Sequence, residues 1–294
     1  MKKLNHRFPL ALLVGLLIGF SSCSNNEELD NNIERVIKKI ESTPANGGCC
    51  IRYFDFREDG KIDRFGLYEN LPDVYNKYYY DDQGKYIGAT GYYSLTYQEN
   101  ILIASYGGND TGGGGSNYTY EGNIISSQGF YNGEPNNYNV VYEFSDTTYS
   151  KLLSVTVNDD ILTTPYIFRI TTFEYEGDLL VKSEEKEFNE NTGEIEPKSS
   201  FEFTYDNKRN PYKLGLNQNA FVTSFIYIPF NYYIPQNLTL QMEHNIVSQK
   251  STSFTTGNVS LYEREYVYDE FGFPISYSEN HNGEPNRNVT FEYY

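Results

Sequence analysis

The residues able to do acid–base, nucleophilic or metal chemistry are few in this chain, and their spacing suits none of those tasks. Beyond the N-terminal segment two histidines remain, His244 and His281, and neither stands in a His-Glu-x-x-His or similar metal spacing. No Gly-x-Ser-x-Gly nucleophile elbow occurs, so both histidines read as surface or turn residues. Cys49 and Cys50 are adjacent. Their Cα atoms, about 3.8 Å apart, fall below the disulfide range, and two thiols are too few ligands for zinc. They read as buried or partly buried thiols. Asp55, Asp59 and Gly60 fall at calcium-loop offsets, but Arg57 occupies a ligand position and no Glu stands in the twelfth place. An EF-hand is therefore excluded. The run from Gly107 to Gly115 imitates a phosphate loop, yet it lacks the Gly-Lys-Ser/Thr ending and leads into Tyr118-Thr119-Tyr120, which reads as a strand. It reads as a long flexible hairpin loop. Among 40 acidic residues a carboxylate pair for glycoside hydrolysis could exist, but most acids alternate along strands or sit in turns. The expectation is a protein without catalytic centre, metal or cofactor, with a polysaccharide-acting hydrolase as the alternative.

One segment suits recognition better than catalysis. Phe221–Pro235 breaks the surrounding alternation, contains Pro229 and Pro235, and is almost free of charge. Its plainer role is an apolar segment closing one end of a sheet. Its functional role is an aromatic patch in which Phe225, Tyr227, Phe230, Tyr232 and Tyr233 offer ring faces to a sugar or a peptide.

Composition sets the wider frame. The chain has 294 residues, enough for a real core, with a formal charge of −17 that disfavours nucleic acid as a partner. It holds 30 Tyr and 19 Phe but no Trp, so its apolar content is largely aromatic, which argues against disorder; the missing Trp counts against glycan binding, though Tyr can serve. Residues 1–22 read as a signal peptide, with Lys2, Lys3 and Arg7 ahead of the apolar stretch from Pro9 to Phe20. Phe20-Ser21-Ser22-Cys23 resembles a bacterial lipobox and implies lipidation of Cys23. Ser24 in place of Asp favours the outer membrane, and Asn25-Asn26-Glu27-Glu28 resembles the acidic export tags of Bacteroidetes surface lipoproteins. These resemblances imply a lipid anchor in the outer membrane, facing the cell surface rather than the periplasm. Residues 23–48 are then a tether. Within it Ile33, Val36, Ile37 and Ile40 recur at helical spacing and predict a helix over Asn31–Ser42, ended by Pro44, Gly47 and Gly48.

From Cys49 the period becomes two. Val140, Tyr142 and Phe144, then Thr171, Phe173 and Tyr175, then Phe201, Phe203 and Tyr205 alternate with polar partners. Turns recur with an aromatic before them: Tyr80-Asp81-Asp82-Gln83-Gly84 and Tyr268-Asp269-Glu270-Phe271-Gly272 share Tyr-Asp-x-x-Gly, and Asn132-Gly133-Glu134-Pro135-Asn136 returns as Asn282-Gly283-Glu284-Pro285-Asn286. Together with the lipobox and Tyr205–Tyr212, this pattern resembles YD-type repeats and a family of Bacteroidetes lipoproteins of unknown function with a porin-like β-fold. The expected fold is all-β, an antiparallel meander over 49–294 forming one large curled sheet or half-barrel, with a split near Asn207–Gln218 as the alternative. A transmembrane barrel fits less well. Stepping back by two from Tyr294 meets Glu292, Thr290 and Asn288, and the apolar set Tyr293, Phe291 and Val289 is out of phase with an outward apolar face. The expected role is non-catalytic binding or scaffolding in the envelope, with a glycan or an envelope protein as partner.

Overall fold

The computed structural model describes residues 35–47, 51–68, 75–89, 93–99, 101–109, 112–159, 166–215, 221–222 and 234–294. Eighteen strands follow one another along the chain. The first six are β1 (Ile37–Pro44), β2 (Ile51–Phe56), β3 (Ile62–Tyr68), β4 (Tyr75–Tyr80), β5 (Tyr86–Ala89) and β6 (Tyr93–Gln98). Then come β7 (Ile101–Asn109), β8 (Gly112–Glu121), β9 (Ile124–Tyr131), β10 (Glu134–Phe144), β11 (Leu152–Asp159) and β12 (Tyr166–Glu176). The last are β13 (Leu179–Asn189), β14 (Glu194–Arg209), β15 (His244–Ser253), β16 (Val259–Tyr268), β17 (Pro274–His281) and β18 (Glu284–Tyr293). Among the described residues, the short helices α1 (Tyr212–Gly215) and α2 (Ile234–Thr239) lie between β14 and β15.

Each strand pairs antiparallel with the next, and β1 pairs with both β2 and β18. Ile40 stands opposite Phe54 on one side and Phe291 on the other. The sheet therefore closes into an 18-stranded barrel, which corrects the curled sheet or half-barrel expected from the sequence. Closure depends on the segment read as a helix. Of Asn31–Ser42, Ile37–Ser42 is strand, and a bulge between Ile37 and Lys39 accounts for the helix-like spacing. An extra residue in a strand lets positions three apart share a face, so Ile37 and Ile40 both point into the core while imitating helical spacing. The split near Asn207–Gln218 does not occur either, because β14 pairs directly with β15.

The described parts of the glycine-rich run belong to strands, Gly107–Asn109 to β7 and Gly112–Gly115 to β8, with Gly107 opposite Gly114 and Gly108 opposite Gly113, which corrects the long hairpin loop expected there. A Cβ on Gly113 would collide with the Tyr106 ring, and one on Gly115 with the Ser105 carbonyl and the Phe130 ring. Tyr106 and Phe130 stack at 6.4 Å, so bare backbone is what lets these two rings lie across the sheet.

Inward positions are apolar and aromatic, among them Phe54, Tyr86, Ile125, Phe144, Leu180 and Phe291. Outward positions carry charge. Glu174, Lys182, Glu202 and Lys250 lie opposite one another across β12–β15, with the Lys250–Glu202 pair at 3.0 Å. The stretch between β14 and β15 supplies the filling. Phe221 meets Tyr118, Tyr142, Tyr120 and Phe144 edge-on at 5.1–6.4 Å, and Leu238 and Met242 are buried. Asn210 staples the base of this stretch, donating from Nδ2 to the Leu240 and Met242 carbonyls at 3.2 and 3.1 Å.

One rim is built by a repeated device. In β4, β6, β8, β12, β14 and β18 a tyrosine in the second half of the strand donates its hydroxyl to a carbonyl at or beside the start of the preceding strand: Tyr80 to Ile62, Tyr97 to Tyr86, Tyr120 to Leu102, Tyr175 to Leu152, Tyr205 to Leu180 and Tyr293 to Pro274, at 2.5–3.1 Å. Cations cover several of these rings, with Lys85 at 4.5 Å over Tyr97 and Arg57 at 5.5 Å over Tyr80. Beside them the Tyr-Asp-x-x-Gly turns fold as expected. Asp81 accepts from the Gln83 and Lys85 amides, Asp269 accepts from those of Phe271 and Phe273, and Gly84 and Gly272 take positive φ. Asn132-Gly133 and Asn282-Gly283 have positive φ at both residues, the type I′ hairpin geometry.

Candidate functional site

The last four strands place a charged cluster in the lumen among buried aromatic and apolar residues. Alternation along β16 turns Tyr262, Arg264 and Tyr266 inward, and the register sets Arg264 opposite Glu279 of β17, itself opposite Arg287 of β18. The result is one Arg–Glu–Arg row across three strands. Arg264 Nε donates to Glu279 Oε2 at 2.9 Å, Arg287 Nε to Oε1 at 2.8 Å, and Asn286 Nδ2 to Oε1 at 2.6 Å. Glu279 is only 2 % exposed, whereas Arg264 and Arg287 keep 19 % and 25 % of their side-chain surface open to solvent.

Burial alone would raise the Glu279 carboxyl, but Arg264 and Arg287 outweigh it and hold the group below the usual carboxylate range. Burial alone would lower Arg264, yet Tyr277, Glu279 and Tyr266 together keep its guanidinium above its ordinary value. Both charges of the pair therefore persist at neutral pH.

Around this row opens a cavity of about 310 Å³. Its wall includes Arg52 of β2, Ser42 of β1, Gln249 of β15 and Tyr212 of α1, with Gln236 and Thr239 of α2 on the inner side. Tyr266 lies 4.9 Å from Tyr277. The ring of Tyr262 stacks on His281 at 4.4 Å and 5°, and His281 Nε2 is buried without a hydrogen-bond partner. The cavity thus combines ring faces, neutral amides and hydroxyls, and guanidinium groups. Among the described residues its lining contains one carboxylate, Glu279, held by two arginines.

None of these cavity residues was among the candidates named from the sequence. A signal existed, because Arg264, Glu279 and Arg287 occupy positions that alternation assigns to the covered face, where charge is costly unless paired. Cys23, Phe225, Tyr227, Phe230, Tyr232 and Tyr233 fall outside the described residues, as do Cys49 and Cys50. At Asp55–Gly60 the acids pair with cations, Asp55 with Arg64 at 2.5 Å and Asp59 with Lys61 at 2.8 Å. Among the described residues no group of three His, Cys, Asp or Glu could hold a metal, and no helix is long and apolar enough to cross a membrane. His244 Nδ1 faces the Lys208 carbonyl at 3.2 Å, a structural contact in the barrel wall.

No family model matches the chain, and no curated protein matches it. Among solved structures it is similar to a porin-like protein from Bacteroides uniformis ATCC 8492, at 13% identity and TM-score 0.43, covering 88% of this chain and 96% of that one. It is also similar to a porin-like protein from Bacteroides vulgatus ATCC 8482, at 11% identity and TM-score 0.36, covering 89% and 99%. At these values neither likeness carries a functional argument.

Proposed function

We propose that this is a non-catalytic envelope protein, held at the outer membrane by a lipid on Cys23, whose barrel binds a glycan-derived ligand in its lumen. The cavity beside the Arg264–Glu279–Arg287 row carries this reading, because tyrosine faces, amides and guanidinium groups converge on one concave space. The polarity of the wall supports attachment by lipid rather than by the barrel. Charged rows such as Glu174–Lys182–Glu202–Lys250 face outward, where each lysine near a bilayer midplane would cost about 2–4 kcal/mol and each glutamate somewhat less. The surface-facing orientation and the aromatic contacts of Phe225, Tyr227, Phe230, Tyr232 and Tyr233 belong to the same proposal.

A glycan array with the purified protein tests the binding. The expected result is selective retention of a few sugars, weakened at least tenfold by Tyr277→Ala; an array without hits overturns the reading. For the anchor, Cys23→Ser should abolish incorporation of labelled fatty acid and release the protein from the membrane fraction. A variant that stays membrane-bound would remove the lipid from the account.

A further inference from the structure

We infer that the outer wall of β6–β9 carries a docking strip for an uncharged polysaccharide, built on the paired rings of Tyr106 and Phe130. The strip lies outside the lumen and does not depend on the cavity there. Tyr118 and Tyr120 of β8 turn toward the core, so alternation points Gly113 and Gly115 outward. Tyr106 of β7 and Phe130 of β9 stand on either side of Gly115 in the same outward row. Their rings reach over β8 from both sides, the Tyr106 ring against Gly113 and the Phe130 ring against Gly115. Residues two apart on one strand face repeat at about 6.7 Å. The ring centroids are 6.4 Å apart and the planes differ by 19°. The two rings therefore lie side by side along β8, nearly in one plane, each with one face on the sheet. Tyr106 is 46% exposed.

The chemistry of the occupant follows from what surrounds the rings. Within β6–β9 the one charged residue is Glu121, the last of β8, and from Tyr86 to Ser150 the chain holds no Lys or Arg. In a chain of net charge −17 with 21% charged residues, so neutral a sector offers an ionic partner nothing to pair with. The wall of β12–β15, with its Glu174–Lys182–Glu202–Lys250 row, is the contrast. Lipid tails match poorly as well, because Ser94, Thr96, Asn117 and Thr119, all exposed around the rings, carry hydroxyls and an amide. Such groups donate and accept without charge and so meet sugar hydroxyls, while the ring faces meet the C–H face of the sugar. The strip is open and long rather than concave. From Gly113 to Thr119 the outward positions of β8 cover about 20 Å, which fits a polymer laid along the strands rather than a single ring.

Affinity electrophoresis of the purified full chain in detergent tests this, in native gels containing soluble starch, mixed-linkage β-glucan or galactomannan, with polygalacturonate as the charged control. The expected result is retardation by at least one neutral polymer and none by polygalacturonate. Tyr106→Ala, melting like the parent protein, should weaken that binding at least tenfold. Should this variant fail to fold, Ser94→Arg, opposite Tyr106 on β6, sets a long side chain against the exposed ring and should weaken binding in the same direction. No retardation by the three neutral polymers, or equal retardation by polygalacturonate, overturns the inference and leaves the lumen site standing. Folded variants that bind unchanged overturn it too. Binding lost in Tyr277→Ala but kept in Tyr106→Ala puts the polymer in the lumen, against the inference. If Tyr106→Ala instead splits a dimer into monomers and leaves sugar binding unchanged, the face belongs to a second copy of this chain and the inference falls.

Discussion

Glu279 shows how much one buried charge can decide. Its two arginine partners hold its carboxyl below the usual range, so folding lowers its affinity for protons. A group lowered in this way contributes stability that is fully present above its unfolded value, about 4.3, and lost as pH falls through the folded value. Glu279→Gln should therefore cost about 3–5 kcal/mol at pH 7, where two arginines lose their counter-charge. The gap from the parent protein should narrow as pH falls below about 4. Urea unfolding across that range measures the gap, and a constant difference would mean Glu279 carries no charge-dependent stability. At this scale the sequence was only partly legible. The turn aspartates Asp81 and Asp269 and their closing glycines Gly84 and Gly272 announce their roles by spacing alone. Arg264, Glu279 and Arg287 do not, because their meaning lies in a three-strand register that joins residues 23 positions apart.

At the level of elements, the tyrosines before the turns are hydrogen-bond donors as well as filling. Burial raises the phenols of Tyr175, Tyr205 and Tyr293, as expected for hydroxyls whose partners are carbonyls sheltered from water. Tyr175→Phe leaves the Leu152 carbonyl without its donor and should cost about 1–3 kcal/mol. Tyr131→Phe, at a ring 61% exposed, should stay within about 0.5 kcal/mol of the parent protein. Equal effects in the two variants, measured by chemical unfolding, would deny the hydroxyl its role. The strand β10 supports the distinction, since it carries Phe144 at that place and Tyr149 supplies a hydroxyl to the Gly122 carbonyl instead. The strands and their turns were readable because alternation and turn chemistry are local. The strand β1 was not, because its bulge reproduces the three-residue spacing of a helix. The glycine run failed for a related reason: the rings that cover Gly113 and Gly115, Tyr106 and Phe130, reach them from the neighbouring strands β7 and β9.

For the whole molecule, aromatic content faces inward and charge faces outward, which was legible, while closure was not. Seventeen strands with the first segment taken for a helix make an open sheet; the eighteenth makes a barrel. Because burial raises the phenols of Tyr142, Tyr175, Tyr205, Tyr266 and Tyr293, their contribution is fully present below the ordinary tyrosine value, about 10, and is lost as pH rises through the folded values. The barrel should unfold cooperatively in alkali, with tyrosinate absorbance and loss of β-sheet signal appearing together. Absorbance that rises well before the sheet signal falls would show the rings to be open to water. The pairing of β1 with β18 has a further consequence for the order of events. The strand β1, the first among the described residues, can complete its pairing only when β18 arrives, across nearly the full length of the chain. Contacts so distant in sequence carry the largest loop-closure cost and form late. A chain built this way cannot seal itself before β18 is delivered, so until then the sheet keeps two open edges.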